Sequence, residues 1–195
     1  AGTDDPGYYE FIRQIVSSEA AAKKKRRVDY LIRQSRLPQP LKMLSDFDFD
    51  FQKKLDRRLV MDLSSMEFID RQESILFIGN NGTGKSHLAQ SLALLACQRG
   101  YRTYYTTCSE LIMDLNQGVF EKTLDKRIRK YINCELLLID EMGHDRLELQ
   151  VVKEAHLLFK VIDQRYKLKK PLIFTTNIEK EDWPEFLGDP ISTSA

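Results

Sequence analysis

Gly79-Asn80-Asn81-Gly82-Thr83-Gly84-Lys85-Ser86 fits the pattern G-x-x-x-x-G-K-[ST], and its flanks restrict what the surrounding chain can fold into. Ser74 to Ile78 is a short apolar run that predicts a buried strand. His87 to Gln98 carries Leu88, Leu92, Leu95 and Ala96 on one helical face. Strand, glycine loop and helix together are the context in which this pattern cradles phosphate. Glycine lets the backbone approach an anion where a side chain would block it. The helix N-terminus adds free N–H groups and the positive end of its dipole. Lys85 is expected to reach the outer phosphates, and the Ser86 hydroxyl to hold Mg²⁺. Residues 79–86 with His87 are thus the candidate nucleotide-binding set, and a nucleoside triphosphate the expected ligand.

Leu136-Leu137-Leu138-Ile139-Asp140-Glu141 is the second informative stretch. Four consecutive apolar residues suit a strand buried on both faces of a parallel sheet. Two carboxylates stand at its C-terminal end, where ligands of such sheets bind. Adjacent strand residues point to opposite sides, so the two are expected to divide the work. Asp140 would hold Mg²⁺ through water, and Glu141 would orient and polarise the attacking water. Pro171 to Asn177 predicts another strand, and Asn177 at its end could contact the γ-phosphate or the lytic water.

Around these motifs the chain suits one domain plus an appendage: residues 1–40 as a helical extension and linker, residues 41–195 as the nucleotide-binding core. Helical periodicity runs from Tyr8 to about Arg36 and contains Lys23-Lys24-Lys25-Arg26-Arg27, either a solvated surface or a phosphate-contacting arm. Ser45 to Gln52 alternates acid and aromatic, which predicts an extended segment with three phenylalanines on one face, sealing the core edge or lining an adenine pocket. Leu55, Leu59, Leu63, Met66 and Ile69 predict one amphipathic helix. Thr107-Cys108-Ser109-Glu110 has capping-box spacing, with a helix expected through about Leu115 and an interruption at Gln117-Gly118. A following helical piece carries Lys122, Lys126, Arg127, Arg129 and Lys130 against Glu121 and Asp125, either a nucleic-acid surface or a soluble face.

The 30 basic and 29 acidic residues nearly cancel, so overall charge does not argue for nucleic acid and local clusters must. No apolar run approaches roughly 18 residues and no secretory leader is visible, so a soluble, cytoplasmic protein is expected. Cys97, Cys108 and Cys134 show no C-x-x-C pairing and read as reduced thiols. His87, His144 and His156 have no metal-ligand spacing. A scaffold using nucleotide only as an assembly ligand would not need Glu141, and a small-molecule phosphotransferase would need an acceptor-binding segment that is not evident.

With these residues in view, the chain resembles the IstB/DnaC-like branch of the AAA+ ATPases, most closely its insertion-sequence members. The resemblance rests on Asp46-Phe47-Asp48-Phe49, the glycine loop followed by His87-Leu88-Ala89, Tyr105-Thr106-Thr107, and Leu138 to Gly143. It continues through Gln164-Arg165-Tyr166, Thr175-Thr176-Asn177 and Phe186-Leu187-Gly188-Asp189-Pro190. It implies an α/β AAA+ P-loop fold, with the Asn177 strand lying between the glycine-loop strand and the Asp140 strand. It also implies ATP hydrolysis with Mg²⁺ at subunit interfaces of a homo-oligomer on DNA, in partnership with a transposase. A replicative helicase loader of the same branch is the alternative. Lys85, Ser86, Asp140, Glu141 and Asn177 fall on the branch's nucleotide, metal, water-activating and sensor positions, and Arg165 on its arginine finger. The resemblance further implies a fifth strand and a small helical lid beyond Ala195, and more of a helical transposase-binding domain before residue 1. On that expectation the sequence is a trimmed piece.

Overall fold

Leu136, Leu137, Leu138 and Ile139 have no measurable exposure, and the sheet is built around them. The computed structural model describes residues 6–52, 55–142 and 151–179, with the backbone alone at 6 and 151–155. In chain order the elements are α1 (Pro6–Gln34), α2 (Arg57–Leu63), α3 (Glu67–Asp70), β1 (Ile75–Ile78), α4 (Lys85–Gln98) and β2 (Thr103–Thr107). They continue with α5 (Cys108–Phe120), α6 (Leu124–Asn133), β3 (Leu136–Met142), α7 (Val151–Lys167) and β4 (Leu172–Thr176). All strand pairs are parallel, in the order β1-β4-β3-β2. The expected place of the Asn177 strand is therefore the observed one.

Alternation along β3 feeds two layers. Leu137 and Ile139 pack with Leu111, Leu115, Ile128, Leu158 and Val161 from α5, α6 and α7. Leu136 and Leu138 face the opposite way, against Ala89, Leu92 and Ala96 of α4 and Phe68 before β1. Each buried leucine or isoleucine contributes about 1.5–3 kcal/mol, so the doubly covered strand is the largest apolar contribution per residue. α4 is buried nearly all round rather than along one face, because the C-terminal end of α1 and the segment after it cover its outer side. Cys97, Cys108 and Cys134 are free and buried, as expected of reduced thiols.

α1 docks only by that end. Leu31 and Leu37 are buried, and the Ser35 carbonyl accepts from Tyr105 N at 2.7 Å, covering part of the free edge of β2. Residues 23–27 are exposed, with Arg26 paired to Glu19 at 2.6 Å.

Four local expectations are corrected. The segment is not continuously extended: Leu44–Asp46 forms a 3-10 turn, Phe47 keeps extended angles after it, and the Asp48 carboxylate closes the next turn by accepting from Asp50 N and Phe51 N. The single helix expected over residues 55–69 is split, since Met66 sits at φ 65° between α2, capped by Asp56, and α3. Gly118 does not interrupt α5. It lies within it because a Cβ there would come 2.6 Å from the Arg127 side chain and 3.1 Å from Leu124 Cα, so glycine lets α6 pack close. β1 is not fully buried either, with Leu76 and Ile78 exposed among the described residues. The Thr107 cap does form, its hydroxyl accepting from Glu110 N at 3.2 Å.

The basic face of α6 is partly neutralised from within. Asp114 on α5 accepts from Lys130 at 2.9 Å, from Tyr131 at 2.7 Å and from Arg127, while Arg127 also reaches Glu121 at 2.8 Å. Burial pushes the Asp114 carboxyl up, but the hydrogen bonds from Lys130, Tyr131 and Arg127 outweigh it and hold it below its ordinary value. A lowered folded value contributes stability above the unfolded value of about 3.9, lost as pH falls through the folded one. Asp114→Ala is expected to cost about 2–3 kcal/mol at neutral pH, with the difference from the parent shrinking below about pH 4. Thermal melts at pH 7 and pH 3 check both parts; coincident neutral melts would reduce the cluster to solvated surface.

Candidate nucleotide-binding site

At the C-terminal edge of the sheet, residues 81–87 form one wall of a 420 Å³ cavity, and Glu141, Met142, Thr175, Thr176 and Asn177 form the other. Parallel strands bring these segments together because every strand ends on the same side. Gly79 N donates to Thr176 O at 3.2 Å, so the glycine loop leaves the sheet where β4 ends.

The loop's geometry demands glycine at Gly84, which caps α4 at φ 87°. A Cβ there would stand 2.6 Å from the Phe47 ring. Phe47 is buried behind the loop, edge-on to Phe49 at 4.9 Å and to His87 at 5.5 Å. His87 Nε2 lies 2.8 Å from the Met43 carbonyl, which can only accept, so Nε2 carries the proton. The aromatic segment therefore buttresses the phosphate loop. Phe47 packs against Gly84 and Phe51 is 71% exposed, so the sealing alternative fits Phe47.

Lys85 Nζ and Thr83 Oγ1 both donate to the Asn80 carbonyl at 2.8 Å. Burial pushes the Lys85 ammonium below its ordinary value, with Asp140 pulling the other way. An ammonium bound to a neutral carbonyl can exchange it for phosphate oxygens. Ser86 Oγ donates to Asp140 Oδ1 at 2.8 Å, which joins the two proposed metal ligands across the loop. A hydroxyl and a carboxylate are hard oxygen donors of the kind Mg²⁺ takes alongside phosphates and waters. Among the described residues no cluster of three or more His, Cys, Asp or Glu offers a cage of its own.

The two carboxylates differ sharply. Asp140 is buried and also accepts from Gln90 Nε2 at 3.2 Å, from Tyr105 Oη at 3.4 Å and from the Thr175 hydroxyl. Burial first, then the Asp140 and Glu141 carboxylates, push the Tyr105 phenol up, so it stays a donor. Glu141 is exposed and lines the cavity. Simple alternation does not separate them, because β3 slips against β4 between Ile139 and Met142 and Glu141 sits at φ 60°. Asn177 lies across the same cavity, and its Oδ1 is buried with no hydrogen-bond partner among the described residues. An orphaned acceptor there fits a water or ligand N–H arriving with the nucleotide.

The profile of the IstB-like ATP binding proteins matches residues 1–195. The chain belongs to the IstB-like ATP-binding family. A relative named for ATP binding in insertion sequence IS5376 of Geobacillus stearothermophilus is 38% identical over 195 residues, covering all of this chain and 76% of its own length. The corresponding protein of insertion sequence IS21 in Pseudomonas aeruginosa is 31% identical over 195 residues, covering all of this chain and 72% of its own. Among solved structures, AMPPCP-bound DnaA from Aquifex aeolicus aligns with TM-score 0.67 and 21% identity, over 82% of this chain and 48% of that one. The DnaC helicase loader aligns with TM-score 0.58 and 24% identity, over 70% of this chain and 83% of that one. The fold is thus that of the AAA+ P-loop ATPases.

In this IstB-like chain Arg165 is not where a finger for a neighbour would stand. It is fully buried. Its guanidinium donates to the carbonyls of Tyr131 at 2.7 Å, Cys134 at 3.1 Å, Glu135 at 3.1 Å and Pro171 at 2.7 Å. The fork satisfies carbonyls left open at the end of α6 and the starts of β3 and β4, the sheet end away from the cavity. Sequence reasoning missed Gln90, Tyr105 and Thr175. Gln90 lies four residues after Ser86 on the same helix, a spacing that places both on one face. His144 and the Phe186-to-Pro190 segment lie outside the described residues.

Proposed function

We propose that this chain is the core of a Mg²⁺-dependent ATPase that assembles as a homo-oligomer on DNA and regulates a transposase. The observation that carries it is Ser86, bonded to Asp140 at 2.8 Å, lining one cavity with Glu141 and Asn177, in a family whose relatives are named for insertion sequences. Those names favour transposition over helicase loading, a role the fold alone does not distinguish. No helix among the described residues is long and apolar enough to cross a membrane.

In this reading Lys85 gives up the Asn80 carbonyl to bind the outer phosphates. Ser86 and Asp140 hold Mg²⁺, which when bound neutralises developing charge on the phosphate oxygens. Glu141 takes the proton of the attacking water and Asn177 holds that water in line. Measuring ATP turnover with and without Mg²⁺ and duplex DNA tests the reaction, and a pull-down of transposase against replicative helicase tests the partner. Absence of Mg²⁺-dependent turnover from a folded, nucleotide-bound chain would defeat the enzyme reading.

The DNA-binding surface is assigned to Lys122, Lys126 and Arg129, which make no ion pair among the described residues, or to the exposed run at 23–27. Arg127 and Lys130 are withdrawn from it by Asp114. Binding to phosphates releases counterions, so affinity is expected to fall steeply with salt. Neutralising Lys122, Lys126 and Arg129 should flatten the log–log slope by about one unit for each DNA phosphate that no longer meets a cation. If that set and the 23–27 set both leave slope and affinity unchanged, DNA binds elsewhere.

A further inference from the structure

We propose that Thr175 is a positioning residue that sets both site carboxylates in place through one hydroxyl group. The inference rests on the reading of Glu141 as the water-activating carboxylate and adds what holds it there.

β3 and β4 pair in register through Ile139 and Phe174, and then Met142 rather than Glu141 pairs with Thr176. Three steps along β3 therefore oppose two along β4, the signature of a bulge, which re-aims a side chain and increases local twist. The extra residue falls in the pair that bears the chemistry. Glu141 adopts φ 60°, a left-handed conformation that a long side chain adopts only when its surroundings impose it. In the bulge its amide is displaced from the strand ladder and needs another acceptor.

Thr175 supplies it. Its Oγ1 accepts from Glu141 N at 2.9 Å, and the same hydroxyl donates to Asp140 Oδ1. The directions are forced, since an amide N–H only donates and an ionised carboxylate only accepts. Glu141 N also approaches Asp140 Oδ1 at 3.2 Å, which closes a small ring of three groups. Thr175 is buried, so water does not substitute for it easily. One hydroxyl thus ties the metal carboxylate to the backbone that carries the water-activating one, and fixes their separation.

Thr175→Val removes the hydroxyl at nearly constant shape and keeps a β-branched residue in the strand, while Thr175→Ser keeps the hydroxyl. Two readouts are needed. In the nucleotide-free chain, hydrogen exchange at the Glu141 amide followed by NMR is expected to accelerate at least tenfold in Thr175→Val and to stay near the parent rate in Thr175→Ser. In turnover, Thr175→Val is expected to lose roughly 10- to 100-fold in kcat, with KM for ATP little changed and Thr175→Ser near the parent. Thr175→Ala carries the same test if the valine chain folds poorly. Parent-like exchange and kcat in the valine or alanine chain would overturn the proposal, as would an equal loss in the serine chain. A parent chain that hydrolyses no ATP while Thr175→Val still frees the Glu141 amide would defeat the enzyme reading and leave the positioning role standing.

Discussion

Glu141→Gln is expected to bind ATP as the parent does and to hydrolyse it roughly 10²–10⁴ times more slowly. The substitution keeps the size of the side chain and its hydrogen bonding, and removes only the group that can take a proton. Binding should survive because the phosphate-facing donors lie on the opposite wall, at residues 81–87. Nor does the backbone need to move, since the Glu141 hydrogen bond to Thr175 is made by its amide and not by its carboxylate. Lys85→Ala is the complementary case: it removes the one ammonium in the glycine loop and should weaken nucleotide binding itself. Measuring affinity by a fluorescent nucleotide and turnover by phosphate release separates the two. Near-parent turnover in Glu141→Gln would remove that residue from the chemistry.

What could be read from the chain beforehand was what depends on short-range pattern. The glycine loop, the apolar run of β3 and the Thr107 cap are each written in adjacent residues. The strand order followed from the resemblance and not from any local signal. The features that escaped are those set by a partner on another element of the fold. Whether Gly118 breaks a helix or admits a neighbour depends on Arg127 and Leu124. Whether Arg127 and Lys130 are free depends on Asp114, and the bulge that sets buried Asp140 apart from exposed Glu141 is a property of the β3–β4 pair and not of β3 alone. Exposure of a charged residue is the hardest case, because a long polar side chain is normally solvated. Arg165 is the exception that pattern could not expose.

Arg165→Ala is therefore expected to fail by unfolding and not by loss of catalysis. The guanidinium is fully buried and makes hydrogen bonds to four backbone carbonyls and to Cys134 Sγ. No carboxylate pairs with it among the described residues; burial pushes its pKa below the ordinary value, with Cys134 pulling the other way. What holds the charge is a ring of carbonyl dipoles, two of them from the end of α6, where a cation is favoured by the helix dipole. Truncation strands those carbonyls away from water and opens a cavity between α6, α7 and the starts of β3 and β4. Breaking a buried charged network of this kind costs about 3–5 kcal/mol. That is a large share of the roughly 5–15 kcal/mol that holds a domain together, and lowers the melting temperature by roughly 10 °C. Arg165→Lys keeps the charge but loses the planar fork, so it should fall between the two. The opposing idea, a finger reaching a neighbour's ATP, makes a different prediction on mixing. Arg165→Ala and Lys85→Ala chains, each nearly inactive, would then restore activity together, because some interfaces would join an intact pocket to an intact finger. With Arg165 buried as a carbonyl clamp, the mixture should stay as inactive as its components while the Arg165→Ala chain alone melts early. An Arg165→Ala chain that melts with the parent and recovers turnover on mixing would show that the buried arrangement is not the working one.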